Sequence, residues 1–206
     1  MIHLRSGKRR PRLRAVPGSE VALRRLSVEC HTPRPPSESS TAQFAGVEVP
    51  NVLLQSFDGR SHQIADLSFS WVVYYFYSGI DAAHPEGRVD GAQDAALHRA
   101  YSNEKEAFSL LGVRVIGISS QSETEQLQTI TDYRIVHRML IDPACQCARL
   151  LNLPVFEVAG RTYYQRLALL TCDRRVAHAF YPVEAASRNP SQVLTWMRVH
   201  GAGPSA

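Results

Sequence analysis

The chain has 206 residues with 23 Lys and Arg against 19 Asp and Glu, a formal net charge of +4. That length suits one domain with a sizeable core plus a tail. No apolar run approaches the roughly 18 residues a membrane helix needs, so a membrane partner is not expected.

Residues 1–45 hold nine Lys and Arg against three Asp and Glu, whereas 46–206 hold fourteen against sixteen. The basic character therefore belongs to the tail, and a slightly acidic domain is a poor nucleic-acid surface. The tail alternates basic clusters (Lys8-Arg9-Arg10, Arg24-Arg25) with Pro and Ser, as in PRPPSESS at 33–40, and shows no sustained apolar period. It is expected to be a flexible, solvated extension, with a nucleic-acid arm or an Arg- and Ser-rich targeting segment as the alternative reading. The domain is expected over 46–200, with 201–206 as a short second tail.

Val52 to Phe57 reads as a strand, Asp58-Gly59 as a turn, and His62 to Leu67 leads on towards Trp71. Trp71 to Tyr77 is seven apolar residues without Gly or Pro, the pattern of a strand buried on both faces of a sheet. It breaks at Ser78-Gly79 into a polar loop, and a helical pattern starts near Gln93. Ala95 to Leu111 reads as an amphipathic helix ended by Gly112. VRVIGIS (113–119) is a second buried strand. Ser122 with Glu125 forms a capping box for a helix to about Tyr133. MLIDP (139–143) is a short strand, and Ala144 to Leu151 a short helix. Two or three antiparallel strands follow, with a turn at Ala159-Gly160, and Pro190 opens the last helix.

Parallel strands joined by helical crossovers, then an antiparallel hairpin and a closing helix, predict an α/β fold with a central mixed sheet flanked by helices. A loop leaving the carboxyl end of a buried strand for a helix N-terminus is where such folds place their chemistry. Tyr77 and Ser78 stand at the base of that loop. His84, Asp81 and Glu86 lie within it, His84 being the best placed general acid or base.

Strand, loop and helix together resemble the first βα unit of the peroxiredoxins, the alkyl-hydroperoxide-reductase and thiol-specific-antioxidant family of the thioredoxin-like superfamily. The resemblance covers roughly 50–199 and includes GISSQS after the second parallel strand, Asp142-Pro143, and Arg166 in YYQRLALL. LPVFEVAG looks like one bacterial branch of that superfamily. The family signature is Pro-x-x-x-Thr-x-x-Cys, its Cys attacking peroxide from the first turn of the helix. With Pro85 as the Pro, the Thr position holds Val89 and the Cys position Ala92. No Cys lies between Cys30 and Cys145. The resemblance thus implies a thioredoxin-type fold and a habit of dimerising, without the thiolate that defines the activity.

In that family the Arg at the place of Arg166 lies beside the thiolate. Here the Arg remains without that anion, and a half-buried guanidinium needs a negative partner. One reading gives it a nearby carboxylate such as Glu157, or solvent. The other makes it the anchor of a small, anionic organic molecule held among Tyr77, Ser78, Pro85, Val89, Ala92 and Gln93, with His84 and Arg166 as the groups that would act on it.

Two further readings stay open: thiol redox chemistry through Cys145 or Cys147, which form C-x-C where a helix N-terminus would lower a thiol pKa, and a non-catalytic dimeric binding or scaffold subunit. Two cysteines are too few for a zinc site, so no metal or cofactor is expected. The absence of a secretory signal and the few cysteines point to a reducing, cytoplasmic setting.

Overall fold

The computed structural model describes residues 39–65, 70–79 and 91–200. All belong to the second of the two units into which the chain divides, Pro35–Ala206. In chain order the elements are α1 (Ser39–Ala42), β1 (Leu53–Gln55), β2 (Ser61–Gln63), β3 (Trp71–Phe76), α2 (Gly91–Asn103), α3 (Lys105–Leu110), β4 (Val113–Ser119) and α4 (Glu123–Tyr133). They continue as β5 (Arg138–Ile141), α5 (Gln146–Leu151), β6 (Val155–Val158), β7 (Arg161–Tyr164), β8 (Leu167–Cys172), β9 (Arg175–Phe180), a 3₁₀ turn at Ala186–Arg188 and α6 (Asn189–His200).

Seven strands form one sheet in the order β2-β1-β5-β4-β3-β8-β9. The apolar run at Trp71 becomes an interior strand, parallel to β4 and antiparallel to β8. Its side chains alternate between two cores. Val72, Tyr74 and Phe76 pack with Ile116, Ile118, Leu140 and the α5 residues Ala148 and Leu151. Val73, Tyr75 and Tyr77 pack with Leu97 and Tyr101 of α2, Phe108 of α3, and Val193, Leu194 and Met197 of α6. Helices therefore cover both faces of a mixed sheet, as the strand pattern predicts.

Several elements depart from expectation in detail. The helix expected over 95–111 starts earlier, at Gly91, and is two helices joined head to tail at Glu104. Hydrogen bonds from Glu104 N to Ala100 O and from Phe108 N to Glu104 O run across the junction. The β6–β7 hairpin forms its own two-stranded sheet and does not extend the main one. Phe44, on the tail side of the boundary expected at residue 46, is only 1% exposed and sits in the core with Val49 and Val176. Its segment is tied on by Gly46 N to Val176 O and Val176 N to Val47 O. The packed structure thus begins ahead of that boundary, because one aromatic ring needs no periodic pattern to find a core. Among the described residues, no helix is long and apolar enough to cross a membrane.

Candidate functional site

At the carboxyl end of β3 the chain leaves the sheet through Tyr77, Ser78 and Gly79. Tyr77 N donates to Ile118 O at 3.2 Å, extending the β4 pairing by one residue. Gly79 has φ +68°, and a Cβ there would lie 2.5 Å from Gln121 Cγ and Cδ. Glycine is therefore required twice, by the backbone conformation and by close approach. Gln121, buried just after β4, fixes this corner: it accepts from Tyr77 Oη at 2.8 Å and Ser119 Oγ at 3.1 Å. Its Nε2 donates to Gly79 O at 3.1 Å and Thr129 Oγ1 at 2.9 Å.

The first turn of α2 brings Asp94 onto this corner, 4% exposed. Asp94 Oδ2 accepts from Ser78 Oγ at 2.5 Å and from Gly79 N at 3.0 Å. Its Oδ1 accepts from Arg166 Nη1 at 3.3 Å. Arg166 lies between β7 and β8, and its carbonyl accepts from Val183 N at 3.3 Å. Burial raises the Asp94 pKa above the ordinary carboxylate value, and Ser78, Arg166 and Gly79 pull it back. The result is a buried carboxylate at a helix N-terminus, gripped by a hydroxyl, a backbone N–H and a guanidinium.

The expected site residues are thus only partly brought together. Ser78 and Arg166 meet through Asp94. Tyr77 is fully buried, with its hydroxyl turned to Gln121 and its ring against His98. Gln93 directs its Oε1 to Ala186 N at 3.3 Å, holding the 3₁₀ turn against α2. Ala92 is exposed at the start of α2. His84, Pro85 and Val89 lie outside the described residues. Glu157, suggested as a partner for Arg166, is exposed on β6. Among the described residues, a carboxylate that Arg166 does pair with is Asp94, which the sequence analysis passed over. Its signal was available: it is the first acidic side chain of the helix whose N-terminus faces the Arg.

A family model described as the AhpC/TSA family matches residues 45–165. The chain belongs to that family. The resemblance to peroxiredoxins drawn from Arg166 and the buried strand is therefore a true relationship. Among solved structures it is similar to peroxidoxin BcpB from Mycobacterium tuberculosis, at 17% identity over 77% of this chain and 98% of that one, TM-score 0.65. It is also similar to peroxiredoxin Q from Xanthomonas campestris, at 17% identity over 77% and 99% of the two chains, TM-score 0.62. Reduced Prx3 from Vibrio vulnificus in complex with H2O2 matches at 18% identity over 76% and 96%, TM-score 0.61. At these identities the likeness is one of fold. A search of the curated proteins finds no match.

The C-x-C pair of this AhpC/TSA member is placed differently from the helix-activated thiol its spacing suggests. Asp142, fully buried, accepts from Gln146 N at 2.8 Å, Cys147 N at 2.9 Å and Tyr164 Oη at 2.6 Å. The N–H groups at the start of α5 thus serve a carboxylate instead of a thiolate. Burial, and then the Asp142 charge, push the thiols of both Cys145 and Cys147 up. Both are buried and unbonded to each other, and they are poor nucleophiles at neutral pH.

Proposed function

We propose that this AhpC/TSA-family chain works without a peroxidatic thiol, and that its former thiolate pocket binds a small organic anion beside Ser78, Asp94 and Arg166. The observation that carries this reading is the Asp94–Arg166 pair. A carboxylate from the first turn of α2 takes the place of the anion that the family's Arg attends, while positions 31–144 hold no Cys. A ligand anion approaching Arg166 would repel the Asp94 carboxylate and raise its already elevated pKa further, so Asp94 would take up a proton as the ligand binds. Asp94 is then the group poised to pass a proton to or from the ligand.

Two measurements test this. Hydroperoxide consumption with a thiol reductant should stay at background. Sustained turnover lost on replacing Cys145 or Cys147 would overturn the proposal in favour of thiol chemistry. In a thermal-shift screen of small carboxylates, Arg166→Leu should weaken any hit by roughly 1.5–3 kcal/mol, the scale of a charge-assisted hydrogen bond. Arg166→Lys should recover only part of it, since an ammonium lacks the planar two-point contact.

A second reading, a non-catalytic dimeric binding subunit, draws support from the same carboxylate, because Ser78, Gly79 and Arg166 between them already hold both Asp94 oxygens. It predicts that Asp94→Asn leaves ligand or partner binding unchanged. The first reading predicts that binding loses its proton uptake.

A further inference from the structure

We propose that Tyr75 is a redox-active tyrosine, which gives up one electron to an oxidant at the surface while its phenolic proton passes to His137. Tyr75 is fully buried in β3, and its hydroxyl has an imidazole on two sides: His137 Nε2 at 2.6 Å and His98 Nδ1 at 3.1 Å. Met139 Sδ, a weaker acceptor, stands at 3.2 Å. The neighbouring strand makes room for this hydroxyl. A Cβ on Gly117, paired with Tyr75 in β4, would lie 2.6 Å from Tyr75 Oη, so a glycine in mid-strand keeps the place open.

The hydrogen-bond partners decide which tyrosine can react. The Tyr75 hydroxyl has one proton to give, and the nearest acceptor is His137 Nε2. His98 Nδ1 then donates to Tyr75 Oη. Burial keeps both imidazoles neutral, with pKa values pushed down to about 4 for His137 and about 3 for His98. Burial also raises the Tyr75 pKa well above the ordinary phenol value, so the proton stays until an electron is removed. A phenol that has lost an electron is a far stronger acid, and a neutral base is already at hydrogen-bond distance. In the same core, Tyr77 donates to Gln121 Oε1 and Tyr101 to Asn189 Oδ1. Those amide oxygens accept a hydrogen bond but do not take a proton, so the radical settles on Tyr75.

Aromatic rings connect this buried hydroxyl to the surface. The Tyr75 and His98 ring centroids are 5.8 Å apart, and those of His98 and Tyr133, at the end of α4, are 5.7 Å apart. Tyr133 is half-buried and reaches solvent. A diffusing one-electron oxidant, such as an organic peroxyl radical, meets the chain at Tyr133 and is reduced to the peroxide anion, which solvent protonates. The electron comes from Tyr75 across His98. The Tyr75 O–H bond breaks and an N–H bond forms at His137 Nε2, leaving a neutral phenoxyl radical beside an imidazolium. His137 and His98 then both donate to the phenoxyl oxygen, and the core excludes the encounters that end radicals at a surface.

The test oxidises the full chain with tris(bipyridine)ruthenium(III), generated by a light flash in the presence of persulfate. Transient absorption and electron paramagnetic resonance follow the tyrosyl radical. A radical should form that outlives that of free tyrosine at least 10-fold, and it should form at least 2-fold more slowly in D2O. Tyr75→Phe should remove this long-lived signal. His137→Gln, which keeps an acceptor but supplies no base, should slow its formation at least 10-fold. Tyr133→Phe, a change near the surface, should slow formation at least 3-fold and leave the lifetime unchanged. These two rates carry the test if Tyr75→Phe does not fold. A long-lived radical that survives Tyr75→Phe would overturn the proposal. So would one lost with Tyr164→Phe, whose hydroxyl meets the Asp142 carboxylate in the other core. Rates untouched by His137→Gln and Tyr133→Phe overturn it as well, as does the absence of any radical outlasting that of free tyrosine.

Discussion

Asp94 and Arg166, 72 residues apart in sequence, meet at 3.3 Å with side chains only 5% and 20% exposed. Two buried charges are tolerated because each neutralises the other and because Ser78 and Gly79 complete the carboxylate's hydrogen bonds. The pair also pins the first turn of α2 to the strand end of the antiparallel half of the sheet. Together with the Gln121 hydrogen bonds, it holds the corner at the carboxyl end of β3.

Asp94→Ala should destabilise the fold by roughly 3 kcal/mol, because it removes the carboxylate that faces a largely buried guanidinium and leaves Ser78 Oγ and Gly79 N without their acceptor. Arg166→Leu strands the carboxylate and should also destabilise, though less, since Asp94 keeps Ser78 and Gly79 and can take up a proton. The double variant should be better than the sum by about 1–3 kcal/mol. Urea unfolding of all four proteins closes the cycle. Additive effects would mean that the two groups do not interact.

Gly79 provides a second check on the same corner. Gly79 and Gly112 share nearly the same backbone conformation, φ +68° and +66°, but only Gly79 has a neighbour where a Cβ would go. Gly112→Ala should therefore cost about 1 kcal/mol, the left-handed penalty alone. Gly79→Ala should cost at least about 2 kcal/mol, because Gln121 is held by four hydrogen bonds and cannot yield. Equal losses would show that the corner is looser than the distances imply.

The sequence was most legible where local patterning and burial agree. The β4 strand falls on VRVIGIS, residue for residue, and the Ser122–Glu125 capping box forms as read, with both reciprocal hydrogen bonds. Arg166 was recognised by resemblance, but its partner was not. Asp94 looks like an ordinary acidic residue in a first helical turn, and only the packing of α2 against β3 turns it inward. The helix N-terminus ahead of the cysteines misled for a related reason, since nothing local tells that Asp142 fills it. Phe44 lacks a periodic neighbourhood, so its burial could be known only from the long-range pairing of 46–49 with the β9 end.

Phe44→Ala should cost about 3 kcal/mol or more, the usual loss for a buried Phe. A drop of under ~1 kcal/mol in urea unfolding would place the true edge of the domain after Phe44.

Thiol labelling should separate the cysteines by burial. In the native protein, Cys147 should resist a neutral-pH disulfide reagent and Cys145 should react slowly; both should label fully in denaturant. Peptide mapping by mass spectrometry reads each site. Rapid native labelling of Cys147 would contradict its burial and revive thiol chemistry.

The last prediction concerns acid. His98 and His137 flank Tyr75 in the α2-side core, and burial pushes their pKa values down to about 3 and about 4, from 6.5 in the unfolded chain. Between pH 6.5 and 4 the unfolded chain therefore binds protons that the native protein refuses. Stability is complete above pH 6.5 and is lost as pH falls through this window. Each group approaches about 1.4 kcal/mol per pH unit, so the two together should remove about 3 kcal/mol between pH 6.5 and 5. Asp94 works in the opposite direction: its raised pKa means the native state takes up a proton first, which favours folding as pH falls below that value. The ordinary carboxylates titrate lower, so the slope between pH 6.5 and 5 belongs mainly to the histidines. His98→Gln keeps a polar group beside Tyr75 but cannot be protonated. Whatever it does to absolute stability, it should reduce the urea-derived slope against pH, to which His62 and His178, also pushed down by burial, contribute as well, and an unchanged slope would show that His98 is charged inside the fold.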